Sequence, residues 1–392
     1  SPHLYSGGAG SACAVVTFRT FSVATVATQV FHAAKPGGME VDGAPEPRDV
    51  QWDALMLSHR ARTTRKVIVD ALSATLLGFY IVPVTALNFI LSEQALKARF
   101  PALREAAEDS QLMSALLQVV QPCVLIALMN LLPPLFMALG FWEGIPAHSW
   151  NARRQLSRYF LFLFLNVFLV TAIAGSALTV AAKVIASPKH IFDLLGSSLP
   201  KMCGFFSCYI IIKALAGLPM ELARIVALMV HATKRLARPS GTPRDREGDW
   251  IGMRDFHNPG WFAYARYAPQ DLLVVLIVMS YACMAPLILL PGMLFFGVAS
   301  VVYRHQFLFV YIEDHESGGL FWPKIYRRII FSLFVAQATM VGMFVLKSAY
   351  MQVYSTLLLM ALTYLYKAHM RSKYLSSSSA THHLPLELAT SL

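Results

Sequence analysis

Five residues spaced by four, Phe205, Tyr209, Lys213, Gly217 and Glu221, set two aromatic rings, a base and an acid along one apolar stretch, Ser197–His231. Their chemistry is that of a polar path rather than of bond making. A carboxylate concentrates cations, an ammonium repels them, and bulky rings can close a narrow passage by driving water out. A lysine near the middle of a bilayer-crossing helix costs about 2.5–3.5 kcal/mol on insertion scales unless it faces water, a partner or the protein interior. On an ideal α-helix this stripe drifts by roughly 40° per step. It therefore faces one side only if the helix bends or unwinds. Gly217 permits bending, and Pro219 cannot donate to the Leu215 carbonyl, so these two are the expected hinge. The expectation is a hinged helix lining a polar pathway, with Phe205 and Tyr209 as the constriction and Lys213 and Glu221 as its charges. The alternative is a kinked packing helix whose lysine pairs with a neighbouring carboxylate and whose aromatics are ordinary packing residues.

The elements that position such a stripe follow from composition. Of 392 residues 56% are hydrophobic and 14% charged, which describes a polytopic membrane protein and not a soluble domain. The net charge of +11 suggests nucleic acid, but the basic residues flank apolar runs, as loops on the cytoplasmic side of a membrane do. VVTFRT (Val15–Thr20) faintly resembles the aromatic strand of RNA-binding sheets, yet it lacks the stacking aromatics, so no nucleic-acid partner is expected. The five cysteines have neither disulfide nor zinc-ligand spacing. No Walker loop, nucleophile elbow or HExxH run occurs, and His382–His383 reads as a solvated pair on a tail. No catalytic residue, metal site or cofactor is expected, and the chain is not read as an enzyme.

Taken in order, Ala12–Thr17 reads as a short buried strand and Ser22–Ala33 as a helix, together the end of a soluble domain that a linker joins to the rest. The chain begins with Ser, so a piece of a longer protein is expected. The fold class is an all-α polytopic membrane protein with eight transmembrane helices, at about 67–90, 112–139, 159–181, 199–230, 271–290, 292–309, 329–347 and 351–366. Residues 1–50 form the domain remnant and linker, 51–368 the membrane domain and 369–392 a tail. Spans five and six are expected to turn at Pro291, and Pro83, Pro122, Pro133 and Pro286 to fall inside spans, where kinks accompany cavities. Basic clusters before span one, in alternate loops and after span eight place both ends on the cytoplasmic side. The loop Ser92–Gln111, mixed in charge, reads as a solvated helix ahead of a cation-gathering mouth.

Several short runs together resemble the OSCA family of hyperosmolality-gated, calcium-permeable channels, whose fold is related to that of anoctamins. They are PEPRDVQW (Pro45–Trp52), LPPLF (Leu132–Phe136), FLNVFL (Phe164–Leu169) with Gly175, SLPK (Ser198–Lys201), VVYRHQ (Val301–Gln306), HES (His315–Ser317) and WPxxxxR (Trp322–Arg328). Lys213, where many members have Asp, and the tail HHLPLELA resemble the plant branch called early-responsive-to-dehydration. The resemblance implies eleven spans, an RNA-recognition-like α/β cytosolic domain before the fourth, and a homodimer held largely by that domain. The present chain would lack the first three spans and most of the domain but keep the five spans that line the pore. It also implies that Phe205 and Tyr209 match the aromatic constriction, Gly217 the hinge region and Glu221 the acidic residue of the same helix. The function expected is an osmotically or mechanically gated, calcium-permeable, non-selective cation channel, with membrane lipids and permeating cations including calcium as partners. The alternatives are an anoctamin-like phospholipid scramblase and a non-conducting membrane assembly subunit.

Overall fold

The computed structural model describes residues 14–30, 41–91, 111–173, 202–225, 228–229, 231–233, 260–313 and 316–375. These residues are mostly helical, with one isolated bridge between Val50 and Ala147. Five stretches among them are long and apolar enough to cross a membrane: Arg60–Leu87, Val119–Glu143, Cys203–Leu222, Pro286–Phe309 and Trp322–Leu346. By length and composition the chain is an integral membrane protein. The loop 92–110, Gly175–Ser176, Ser198–Lys201 and the tail 376–392 lie outside the described residues.

The strand expected at Ala12–Thr17 is not formed over its described part. Residues 14–17 pair with no strand among the described residues, and Val15 and Val16 are exposed. An apolar run becomes a buried strand only where a sheet receives its backbone groups, and the described residues contain none. Helix α1, Phe21–Gln29, follows where a helix was expected. A short α2, Trp52–Leu55, then leads into α3, His59–Phe79, whose first turn is capped by Ser58 Oγ accepting the Ala61 N–H at 3.3 Å.

Prolines set the later breaks. Helix α3 gives way to α4, Ile81–Ile90, at Tyr80, where Pro83 cannot donate to the Phe79 carbonyl. Helix α5, Gln111–Asn130, gives way to α6, Leu132–Glu143, just before Pro133 and Pro134. The Met129 carbonyl, which Pro133 leaves without its helical donor, accepts the Tyr159 hydroxyl at 3.2 Å, and the Leu128 carbonyl accepts Tyr80 Oη at 3.0 Å. Helix α7, His148–Phe162, widens into a π-helical segment, Leu163–Leu169, before α8, Val170–Ile173. Asn166 is buried within that segment and donates to the Leu77 carbonyl at 3.3 Å.

Three expected boundaries move. The stretch 199–230 is not one helix. Helix α9, Cys203–Ile212, a π turn, Lys213–Gly217, and α10, Leu218–Leu222, end at Arg224, which takes φ 51° and turns the chain. Helix α11 starts early, at Tyr264–Tyr281, and the turn after it lies at Ala282–Ala285 rather than at Pro291. Pro286 opens a 3-10 turn, Pro286–Ile288, instead of kinking a span, and Pro291 sits in the first turn of α12, Leu289–Phe309. A missing N–H is harmless in a first turn because that donor has no helical partner anyway. Helix α13, Trp322–Leu346, and α14, Tyr350–Met370, complete the bundle.

Helix α11 is its centre, packed against α7, α9, α12 and α13. Leu272, Leu273, Val274, Leu276, Ile277 and Tyr281 are buried on it. PEPRDVQW is tied to α7 by one buried acid: Asp49 Oδ1 accepts the Ser149 N–H at 2.8 Å and Oδ2 the Ser149 hydroxyl at 2.5 Å. A carboxylate there satisfies an end donor and complements the helix dipole. Its Glu46 accepts the Glu316 N–H at 2.6 Å, which joins the PEPRDVQW and HES runs.

Helices α6 and α7 approach closely at Gly140, where an added Cβ would lie 1.9 Å from Asn151 Oδ1. Gly140→Ala should lower stability by about 1–3 kcal/mol, the usual overpacking range. A thermal-unfolding midpoint in detergent checks this, with Gly78→Ala as comparison. Gly78 has no atom within 4 Å of an added Cβ, so there the midpoint should hold or rise.

Candidate functional site

The stripe is carried by a helix whose middle turn is π-helical. The Leu218 N–H bonds to the Lys213 carbonyl, five residues back. Continued one residue at a time, an i→i+5 ladder offers the Leu215 carbonyl to Met220, and the missing Pro219 donor falls on the Ala214 carbonyl instead. The wider turn also takes back part of the drift of a four-residue repeat. Gly217 has ordinary helical angles, φ −62° and ψ −50°, and an added Cβ would meet only Lys213 Cγ at 3.6 Å. The bend therefore resides in the bonding pattern and not in a special glycine conformation. Pro219 stands at the second position of α10.

Lys213 and Glu221 face the same two helices. Lys213 Nζ lies 3.1 Å from Asp271 Oδ1 on α11, and the Tyr303 hydroxyl of α12 donates to Asp271 Oδ2 at 3.2 Å. The ammonium also sits 5.1 Å from the centre of the Phe295 ring. Two turns on, the Tyr267 hydroxyl of α11 donates to Glu221 Oε2 at 2.6 Å, and the Tyr311 hydroxyl donates to Glu221 Oε1. Gln306 of α12 donates to the Glu221 carbonyl at 3.3 Å. Tyr267 and Asp271 are one turn apart on α11, as are Tyr303 and Gln306 on α12. Between them on α11, Gln270 donates to Asn130 Oδ1 and to Tyr159 Oη, both at 3.2 Å. A polar seam thus runs along the α9–π–α10 helix through an otherwise apolar bundle.

The aromatics of the stripe are packed. Tyr209 is 3% exposed within the main core, and Phe205 is half-buried, with its ring 5.3 Å from that of Phe206. Burial fits both a closed constriction and simple packing. The carboxylate that the packing alternative required for Lys213 is Asp271. Tyr311 lies in the connection after α12, and its phenol is pushed up first by burial and then by the hydrogen bond to Glu221. It therefore stays a donor throughout the physiological range.

Asp271, Tyr267, Tyr303, Gln306 and Tyr311 were not singled out from the sequence. Tyr303 and Gln306 are part of VVYRHQ, and Tyr267 and Asp271 are polar residues four apart beside an apolar run. Both pairs were legible as a polar helix face, but which face would meet Lys213 was not.

The VVYRHQ and FLNVFL runs fall inside a wider match. Residues 65–344 match a family model described as the 7TM region of a calcium-dependent channel. The chain belongs to the OSCA family. CSC1-like protein ERD4 of Brassica juncea is 32% identical over 84% of this chain and 44% of its own length. Hyperosmolality-gated Ca2+ permeable channel 3.1 of Arabidopsis thaliana is 32% identical over 84% of this chain and 45% of its own length. Channel 1.5 of the same plant is 30% identical over 86% of this chain and 44% of its own length. This OSCA chain thus spans less than half the length of the curated relatives it matches, with most affinity to the ERD4-like branch.

The pairing at the centre of the seam predicts strong coupling. The two side chains are 11% and 25% exposed, so removing one partner should cost something below the about 3–5 kcal/mol of a fully buried pair, because the other charge is left alone. Lys213→Met and Asp271→Leu should each lower the unfolding midpoint, and the double variant should recover much of the loss. Independent, additive losses would show that the two charges do not support one another.

Proposed function

We propose that this OSCA chain is the conducting part of a calcium-permeable, non-selective cation channel opened by membrane tension or osmotic stress. Support comes from the names of its relatives and, on the chain itself, from the polar seam. That charged and hydroxyl groups line up along a π-interrupted helix between α11 and α12, inside an apolar bundle, is the observation that carries the reading. Intramembrane ionisable groups mark ion paths when they face the bundle interior. In the full protein we expect eight spans for this part of the chain, both its ends cytoplasmic and preceded by an RNA-recognition-like domain. We also expect a homodimer, contact with membrane lipids and no nucleic-acid partner.

The gating element in this proposal is the π turn. Tension favours the state of larger in-plane area, and a π turn lies one residue of bonding register from an α-helix. Straightening it would rotate α10 by about 100° relative to α9. Glu221 would then leave Tyr267 and Tyr311 and be free to attract cations, while Phe205 and Tyr209 form the constriction that must part. Gly217 and Pro219 flank the hinge.

Reconstitution in proteoliposomes tests this directly. Stretch should evoke cation current, and Phe205→Ala with Tyr209→Ala should give current at rest, with Ile210→Ala as a control that leaves resting current unchanged. Lipid movement is followed in the same vesicles. Flip without current would replace the channel by a scramblase, and a folded but silent double variant would remove the gate assignment. Glu221→Gln should lower single-channel conductance at low salt while Glu221→Asp largely keeps it. Equal conductance in the two variants would take Glu221 out of the path.

A further inference from the structure

Away from the seam, two elements bring basic side chains together where the bundle changes from polar to apolar. Helix α7 carries Arg153 and Arg154 just before the apolar run that starts at Tyr159, and α13 carries Lys324, Arg327 and Arg328 just before Ile329. The two helices meet through a small apolar cluster of Ala152, Leu156, Phe321 and Ile325. Lys324 feels the charges of Arg327, Arg153, Arg328 and Arg154, and Arg153 lies in the field of Arg327. Burial and that neighbouring charge hold the Arg153 guanidinium below its ordinary value. Carboxylates account for only one of these cations. Glu143 is buried and is taken by Arg154 and, at 3.1 Å, by Arg158, which also reaches Asp70 at 2.5 Å. Among the described residues no acid is paired with Arg153, Lys324, Arg327 or Arg328.

Like charges converge in this way at a cost unless an anion joins them. Arg328 is held in place by the Phe160 ring, 5.4 Å from its guanidinium carbon. A guanidinium held over a ring still has N–H donors to offer, the fork that suits two phosphate oxygens. Exposed Trp322 opens the same helix, and tryptophan there marks the membrane–water boundary. We propose that Arg153, Lys324, Arg327 and Arg328 form a binding site for an anionic lipid headgroup with more than one phosphate. The depth decides the source: both helices turn apolar within a turn or so of the patch, so a phosphate held here belongs to a lipid in the adjoining leaflet. Four cations with no acid paired to them among the described residues exceed what a singly charged headgroup neutralises, which favours a phosphorylated inositol lipid over phosphatidylserine. Basic pockets between membrane helices commonly hold such headgroups.

The experiment uses the whole chain in nanodiscs of phosphatidylcholine, doped with fluorescent phosphatidylinositol 4,5-bisphosphate or phosphatidylserine, and reads energy transfer from protein tryptophan. The bisphosphate lipid should bind in preference to the serine lipid. Arg327→Gln should weaken it about fivefold, and the double variant with Arg153→Gln further still. Arg304→Gln, an exposed arginine on α12 outside the patch, should change nothing. Soluble inositol trisphosphate should compete poorly, since it lacks the acyl chains. Equal binding of the two lipids would mean diffuse charge attraction and overturn the site. So would full competition by the soluble phosphate, or retention of affinity in the double variant. Unfolding midpoints in the same discs identify a variant that fails to fold, and Lys324→Gln then replaces it.

Discussion

A backbone or charged group inside an apolar bundle must find a partner within the protein, and the arrangement of these helices depends on that constraint. Water that would solvate a free carbonyl or ammonium at a surface is absent, so each such group left alone costs several kcal/mol, about as much as a small domain can spare. The clearest instance is Lys213. Its ammonium lies beside the Phe295 ring in an apolar stretch, and Asp271, itself steadied by Tyr303, makes the position tenable. The same constraint joins the Met129 carbonyl to Tyr159 and the Leu77 carbonyl to Asn166. Each of these bonds fixes the depth and rotation of one helix relative to another, which apolar packing alone leaves free to slide.

Helix irregularities and polar residues consequently occur together. Asn166 lies in one π segment and Lys213 begins another. A π turn widens the helix and shifts the faces on either side, so one helix can present Tyr209 to the core, Lys213 to Asp271 and Glu221 to Tyr267. A straight α-helix with the same four-residue repeat would have carried one of these off the seam. The basic patch at the start of α7 and α13 is the complement of this pattern. There the charges stand just before apolar runs, and among the described residues no acid is paired with four of them.

The sequence by itself determined the class of molecule, because 56% apolar content in long runs has no soluble solution. It determined the unusual helix too: a lysine, a proline and a four-residue repeat inside one apolar stretch require either a bend or an unwinding. Two breaks were legible where proline removed a donor, before Pro83 and Pro133, whereas Pro122 lies inside an unbroken helix. Pro286 and Pro291 misled because proline in a first turn and proline in a helix interior look alike in sequence, and only the neighbouring bonding tells them apart. The strand expected before α1 failed for a related reason, since a strand is defined by a partner that local sequence does not name.

Partner choice was decided by the tertiary structure. That Lys213 meets Asp271, 58 residues away, and that Glu221 is held by tyrosines on two further elements follows from the rotation of α11 and α12 about their axes. Helical periodicity states which residues share a face but not which face turns inward. That rotation is set by many contacts at once, among them the entry of Phe295 beside the ammonium and the tight approach of Gly292 to Val278, where an added Cβ would stand 2.8 Å away. Such contacts are between residues distant in the chain, and the free energy that selects among rotations exists only once the helices have come together.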